Sequence, residues 1–374
     1  MLALRTTGVA TAVLIFPCSG IAYAATWSSS VSVPSTVEYD SNPTLLSRNE
    51  KGVTRYIIAP NLNLVGTSGP DEYQVGLGVN VVRSSDTNIV SNREDPRLKF
   101  GWQRETETGA FGLTARYEES STLSSTVQDT GVVSPDATQT LYGLAGNWRT
   151  ALSERSTLLN ETEFNHVTYD INSLTDYDEL SNRLSYTYAW SDRMELFTRL
   201  GLKRYEPDTG STGSTVGSSN SYTPDIGMNY QFSDRFRGSV YVGANEISGT
   251  NSGPSAQGGL TLNYSGDRVE ASIDAGRTTL ASGDGGFVEV DSVRGSWSYL
   301  VDETRRTGID ASWQDTKGQT PNTLNNYSAW FDQELSPFWI ARLSYTYKQR
   351  QQVGLPDATA NVVGLTLTYS YPGL

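Results

Sequence analysis

Arg97, Lys99, Arg116, Arg149, Arg183, Arg199, Lys203, Arg294 and Arg342 share a property of spacing: each falls on the polar phase of a run in which every second residue is apolar or aromatic. On an extended chain one phase is one face. Cations standing along a wall would draw anionic solute or polymer past it, as charged rings do in pores. Glu118, Glu195, Asp225, Asp274 and Asp310 occupy the same phase, joined by Asn61, Asn63, Gln74, Asn80, Gln103, Asn147, Asn229 and Asn263. A second reading therefore stands beside the first, in which the charges pair across strands and keep a wet wall rigid. Both depend on register, because a slip of one residue turns every side chain to the other face.

Other reactive groups are sparse. His166 is the only histidine, with Tyr169 and Asp170 close by, and no second residue is fixed by a motif as a catalytic partner. An enzyme is not expected. Asp176-Tyr177-Asp178-Glu179 is the nearest approach to a cation loop, but its spacing matches no EF-hand, so neither a metal nor a cofactor is expected. Gly76-x-Gly78 sits inside an alternating run with no helix after it, which removes a nucleotide-binding reading.

What must position these residues is a set of antiparallel strands. Tyr73, Val75, Leu77, Val79 and Val81 interleave with Gln74, Gly76, Gly78 and Asn80, and Leu98, Phe100 and Trp102 with Lys99 and Gly101. Leu184, Tyr186, Tyr188 and Trp190, and later Leu343, Tyr345 and Tyr347, repeat the pattern. Tight reversals share a spelling: Leu152-Ser153-Glu154-Arg155, Trp190-Ser191-Asp192-Arg193 and Phe232-Ser233-Asp234-Arg235, with Tyr264-Ser265-Gly266-Asp267-Arg268 a looser copy. Ser and Asp suit such turns because their side chains bond the turn backbone. Long connections alternate with them, the longest over 119–138 and 206–220.

Eight short turns and nine long connections give about eighteen strands. Trp102, Trp148, Trp190, Phe232, Tyr264, Tyr299, Phe331 and Tyr371 recur near the short-turn side, as aromatic girdles do at a membrane boundary. The fold class expected is all-β, a transmembrane antiparallel up-and-down β-barrel with short periplasmic turns and long extracellular loops. Its least regular members are the seventh strand, around 157–169, where alternation blurs, and the sixteenth, where Trp330 and Phe331 compete for the outer face. A barrel of this size encloses water, and the nine cations are its candidate lumen-lining residues.

Residues 1–24 carry Arg5, an apolar stretch from Val9 to Phe16 and Ala22-Tyr23-Ala24, the form of a cleaved secretory signal, leaving 25–374 as a single barrel domain. Cys18, the only cysteine, would leave with the signal. The remaining 27 basic and 41 acidic residues give a charge of −14, which argues against nucleic acid as a partner. With 37% hydrophobic residues the chain reads as soluble, a misleading sign for barrels, where only alternate residues meet lipid. Expected surroundings are the lipid and lipopolysaccharide of the cell outer membrane.

Three further groups of residues carry a resemblance. Glu38-Tyr39-Asp40-Ser41-Asn42-Pro43 after the first strand, the repeated Ser-Asp/Glu-Arg turns, and Tyr205-Glu206-Pro207-Asp208 after the ninth strand make the chain resemble outer-membrane β-barrel porins of exopolysaccharide export loci. Val363, Leu365, Leu367, Tyr369 and Tyr371 also resemble the closing strand read by barrel-assembly machinery, although Pro372-Gly373-Leu374 follow where a terminal aromatic is usual. The resemblance implies a conduit or component for polysaccharide export, working with polysaccharide-secretion proteins. The alternative is a general or solute-specific porin serving uptake, with a barrel enzyme or adhesin as a third class.

Overall fold

The structure, a computed structural model, describes residues 25–130, 135–208, 217–249, 253–318, 321–371 and 373; the expected signal segment lies outside the described residues. Eighteen strands close into one antiparallel ring. They are β1 (Thr26–Asp40), β2 (Val53–Ile58 continued by Asn61–Ser68), β3 (Asp71–Ser84), β4 (Arg93–Glu105), β5 (Gly109–Ser121), β6 (Thr138–Ser153), β7 (Ser156–Tyr169), β8 (Tyr177–Ser191) and β9 (Met194–Pro207). The second half holds β10 (Ser219–Ser233), β11 (Phe236–Ser248), β12 (Gly253–Ser265), β13 (Val269–Ala281), β14 (Phe287–Asp302), β15 (Arg305–Lys317), β16 (Asn322–Ser336), β17 (Trp339–Gln352) and β18 (Ala358–Tyr371). Each strand pairs with the next, and β18 returns to β1, with Val37 opposite Leu365.

The two pieces of β2 form one strand. Ile58 faces Ser35 and Asn61 faces Ser32, in one continuous register, and the same holds against β3, where Ile58 faces Val81 and Asn61 faces Gly78. The ladder breaks only at Ala59-Pro60, because proline has no N–H to give.

Alternation in the sequence becomes two faces. Leu77, Leu98, Phe100, Leu113, Leu144, Leu184, Ile226, Val242, Ile309 and Leu365 stand exposed on the outer face. The sixteenth strand resolves in the same terms: Phe331 is outward, opposite Leu343, while Trp330 turns inward and donates from Nε1 to Asp310 at 2.9 Å.

Five of the short turns carry a one-residue bulge. The register skips Leu152, Trp190, Phe232, Val301 and Leu335, each of which projects outward, between 41% and 63% exposed. The residue after each bulge caps the turn. Ser153, Ser191, Ser233 and Ser336 accept through Oγ, and Asp302 through Oδ1, from the N–H two residues on.

Three of the long connections fold inward. The first is fixed by the Glu38-to-Pro43 motif: Asp40 accepts from the Asn42 N–H at 3.0 Å, while Asn42 bonds both backbone groups of Leu46 and the Thr359 carbonyl. This seats Leu45 against Leu324, Ala358 and Ala360. In the second, the tip of the β13–β14 hairpin closes over an apolar cluster of Val167, Tyr177, Tyr205, Ile247 and Phe287. Lys203 and Tyr205 donate to the Thr279 and Ser282 carbonyls of that hairpin, and Thr175 N–H bonds Gly283. The third, after β5, contains a helix that alternation did not predict, α1 (Thr122–Thr130). Ser121 caps it, accepting the Leu123 N–H through Oγ at 3.2 Å.

Candidate functional site

Helix α1 projects into the bore. Ser124 borders a cavity of about 450 Å³ with Asn80, Arg97, Arg116 and Gln139 of β3 to β6. The same serine borders a second, of about 530 Å³, with Arg294, Asp310, Asn326 and Lys348 of β14 to β17. Strands β5 and β14 are nine apart in a ring of eighteen, so they stand on opposite walls. A residue can touch both only from inside. The face carrying these polar residues is therefore the inner one, and the exposed Leu and Phe side chains mark the outer.

The base of this projection is tied to the wall by charge. Asp136 accepts from Ser91 N–H at 2.6 Å and pairs with Arg93 at 3.3 Å, and Arg93 also bonds Asp95 at 2.7 Å. Thr122 accepts the Ala137 N–H at 2.9 Å, closing the loop on itself. These groups are mostly buried, so each charge is paired as burial requires.

The nine cations divide into two sets. Arg199 bonds Asp225 at 2.7 Å, Arg342 bonds Asp332 at 2.6 Å, Arg149 lies 3.4 Å from Glu105, Lys203 lies 3.7 Å from Glu179, and Arg116 pairs with Glu163. Arg97, Lys99, Arg183 and Arg294 form no ion pair among the described residues. Arg97 keeps a buried Nε without a partner, and Lys99 stands directly opposite Arg116. Like charges in direct register repel unless something anionic lies between them.

Glycine makes room for several of these side chains. Gly78 faces Arg97, Gly76 faces Lys99, Gly143 faces Arg116 and Gly201 faces Arg183. A Cβ built on Gly143 would meet Arg116 Nε at 2.5 Å and Cγ at 2.7 Å, so the guanidinium stem lies across that glycine. The Gly/Lys and Gly/Arg alternation of the sequence is this packing seen end to end.

Two candidates separate in space. The carboxylates of 176–179 point to different partners: Asp176 accepts the Tyr169 N–H, Asp178 bonds His166 and Glu179 faces Lys203. His166 pairs with Asp178 on the outer wall, away from the bore, in register with Tyr142. Residues the alternation did not single out complete the site: Ser124 and Ser125 of α1, and Lys348. For Lys348 the signal was present, since Asp40 in the Glu38-to-Pro43 motif is its partner at 3.3 Å.

A third polar cavity, of about 660 Å³, opens at the short-turn mouth between Glu195, Arg235, Arg237 and Asn263. Three solute-sized spaces thus lie against the charged inner face, on different sides of the ring.

No protein-family model matches the sequence, and no curated protein does. Solved structures do. OccK2 of Pseudomonas aeruginosa, solved with glucuronate, aligns over 93% of this chain and 98% of its own with a TM-score of 0.54 at 10% identity. OpdK of Pseudomonas aeruginosa, solved with vanillate, aligns over 92% and 98% with a TM-score of 0.52 at 9% identity. The FrpB iron transporter of Neisseria meningitidis aligns over 92% of this chain and 82% of its own, with a TM-score of 0.52 at 9% identity. At these identities the likeness is one of architecture, and this chain has the closed antiparallel fold of outer-membrane β-barrel channels.

Proposed function

We propose that the protein is an outer-membrane porin that admits small anionic solutes, with the short turns in the periplasm and the long loops outside. The observation that carries this reading is the projection of α1 into the bore, where Ser124 borders solute-sized spaces against both walls. A polymer in transit needs a continuous opening, so this geometry supports uptake over export of exopolysaccharide. That the solved relatives include channels crystallised with glucuronate and with vanillate supports the same choice.

Arg97, Lys99, Arg183 and Arg294 form no ion pair among the described residues, although Glu118, Glu161 and Asp274 stand opposite the three arginines, and they are the groups that would exchange with a passing anion. Arg116, Arg149, Arg199 and Arg342 are partly neutralised and shape the wall. Local field decides selectivity here despite the net negative charge, because the bore focuses its own charges.

Purified protein in planar bilayers under a salt gradient tests the reading. Replacing Lys99, Arg116 and Arg183 together with Gln should move the reversal potential toward cation preference, with heat-modifiable mobility on gels unchanged. An unmoved reversal potential in a folded, conducting variant would rule out control by these cations. A wild-type barrel that passes large neutral dextrans would favour the export reading instead.

A further inference from the structure

The blurred alternation of β7 has a structural cause. Phe164 of β7 and Leu180 of β8 face each other on the outer wall, 41% and 47% exposed. By the same register Asn160 and Thr162 of β7 and Asn182 of β8 are outward too. They bond one another: Asn182 Nδ2 donates to Thr162 at 2.7 Å, Asn160 and Asn182 each donate from Nδ2 to the other's Oδ1 at 3.3 Å, and Thr162 donates to Asn160 at 3.4 Å. Around this patch stand exposed Leu144, Phe164, Leu180 and Leu184, and beside Thr162 lies Gly146, which leaves it uncovered.

Thr162 is six residues from one end of β7 and seven from the other, so the patch lies midway across the apolar band. Two amides and a hydroxyl there are costly. Two amides offer four N–H donors, of which three are used, and three of the four contacts are long, so one Asn160 N–H and lone pairs on Asn182 and Thr162 stay open. Hydrocarbon cannot fill them. At that depth the polar groups that can are those of another protein.

The patch itself indicates which protein. An amide both donates and accepts, so the patch is complementary to itself. Rotation about the membrane normal preserves depth, and only a two-fold axis brings a patch against its own copy. A ring of three would join this patch to a different surface at equal depth. The other outward amides that could serve, Asn220, Asn325, Gln333, Gln349, Gln351 and Asn361, lie within three residues of a strand end. Toward the long loops the same strands carry a second outward polar pair, His166 Nδ1 to Asp178 at 2.7 Å, with the rings of Tyr142 and Tyr117 following at 6.1 and 5.0 Å.

We propose that the outer face of β6 to β8 is an interface with a second copy of this chain, related by a two-fold axis along the membrane normal. The inference rests on the outer-membrane reading above. In a Cys18→Ser background, Thr162→Cys should form a disulfide-linked dimer when outer membranes are oxidised, and Leu365→Cys, exposed on β18, should not. Light scattering in mild detergent should give the mass of a dimer for the wild type and of a monomer for Asn160→Leu/Asn182→Leu, with heat-modifiable mobility retained in both. A wild-type monomer or trimer, or equal cross-linking at the two sites, overturns the proposal. Loss of heat-modifiable mobility in the wild type would overturn the membrane reading and the interface with it.

Discussion

Arg199 is held by Asp225 and by two rings at once: its Nε donates to Asp225 Oδ1 at 2.7 Å, and its guanidinium carbon lies 4.6 Å from the Phe197 ring centre and 4.5 Å from that of Tyr241. Asp225 is 9% exposed, so the pair is withdrawn from the water of the bore. The rings take the cation's faces while the carboxylate takes its edge.

Asp225→Ala should therefore destabilise the barrel by about 3 kcal/mol, the cost of leaving one partner of a buried pair uncompensated. Asp332→Ala should cost less, because Arg342 is half exposed at 48% and only one ring, Trp330 at 4.6 Å, covers it. Urea titration in lipid vesicles gives both values, and an Asp225→Ala barrel as stable as wild type would show that the rings alone hold Arg199.

Opposite faces of β3 should respond oppositely to charge. Leu77, 42% exposed on the outer wall, faces Leu98, whereas Gln74 faces Gly101 on the inner wall. Leu77→Arg should cost about 2–4 kcal/mol if it lies at mid-membrane, and Gln74→Arg should be tolerated. Equal effects in the same titration would place the apolar band elsewhere on the strand.

The inward hairpin should loosen as pH rises. Burial raises the pKa of Asp284 at its tip above 3.8, and Asp284 and Asp176 both act on Tyr205 of the cluster beneath. The tucked state thus binds the proton more tightly than the released state, so its advantage is complete below 3.8 and is lost as pH rises through the raised value. Exchange of the Thr175 amide, bonded to Gly283, should speed up over that window in the wild type and show no such step in Asp284→Asn. A step of equal size in both would show that Asp284 does not control the hairpin.

The strand count, the turn spelling and the facing of most side chains were readable because each follows from a period of two and from turn chemistry local to four residues. Where the reading blurred, the cause was tertiary. Strand β7 alternates poorly because Asn160 and Thr162 occupy outward positions while Leu159 and Val167 point in, the latter into the cluster with Tyr205 and Phe287. Trp330 and Phe331 could not be ordered by hydrophobicity alone, since what draws Trp330 inward is Asp310 on the next strand. Helix α1 was hidden because Thr122-Leu123-Ser124-Ser125-Thr126 has little helical preference of its own, and its anchors Arg93 and Asp136 are far apart in sequence.

The bulges at the short turns determine where this chain can change length. In a closed ring a strand is clamped from both sides, so one residue inserted midway through β8 would have to turn half of its side chains from bore to lipid or break two ladders. At Leu152, Trp190, Phe232, Val301 and Leu335 the ladder already skips a residue, next to a turn that faces no neighbour. Insertions and deletions among descendants of this sequence should therefore collect at those five corners and in the long connections, while the strand segments between them keep their residue number even as their side chains drift.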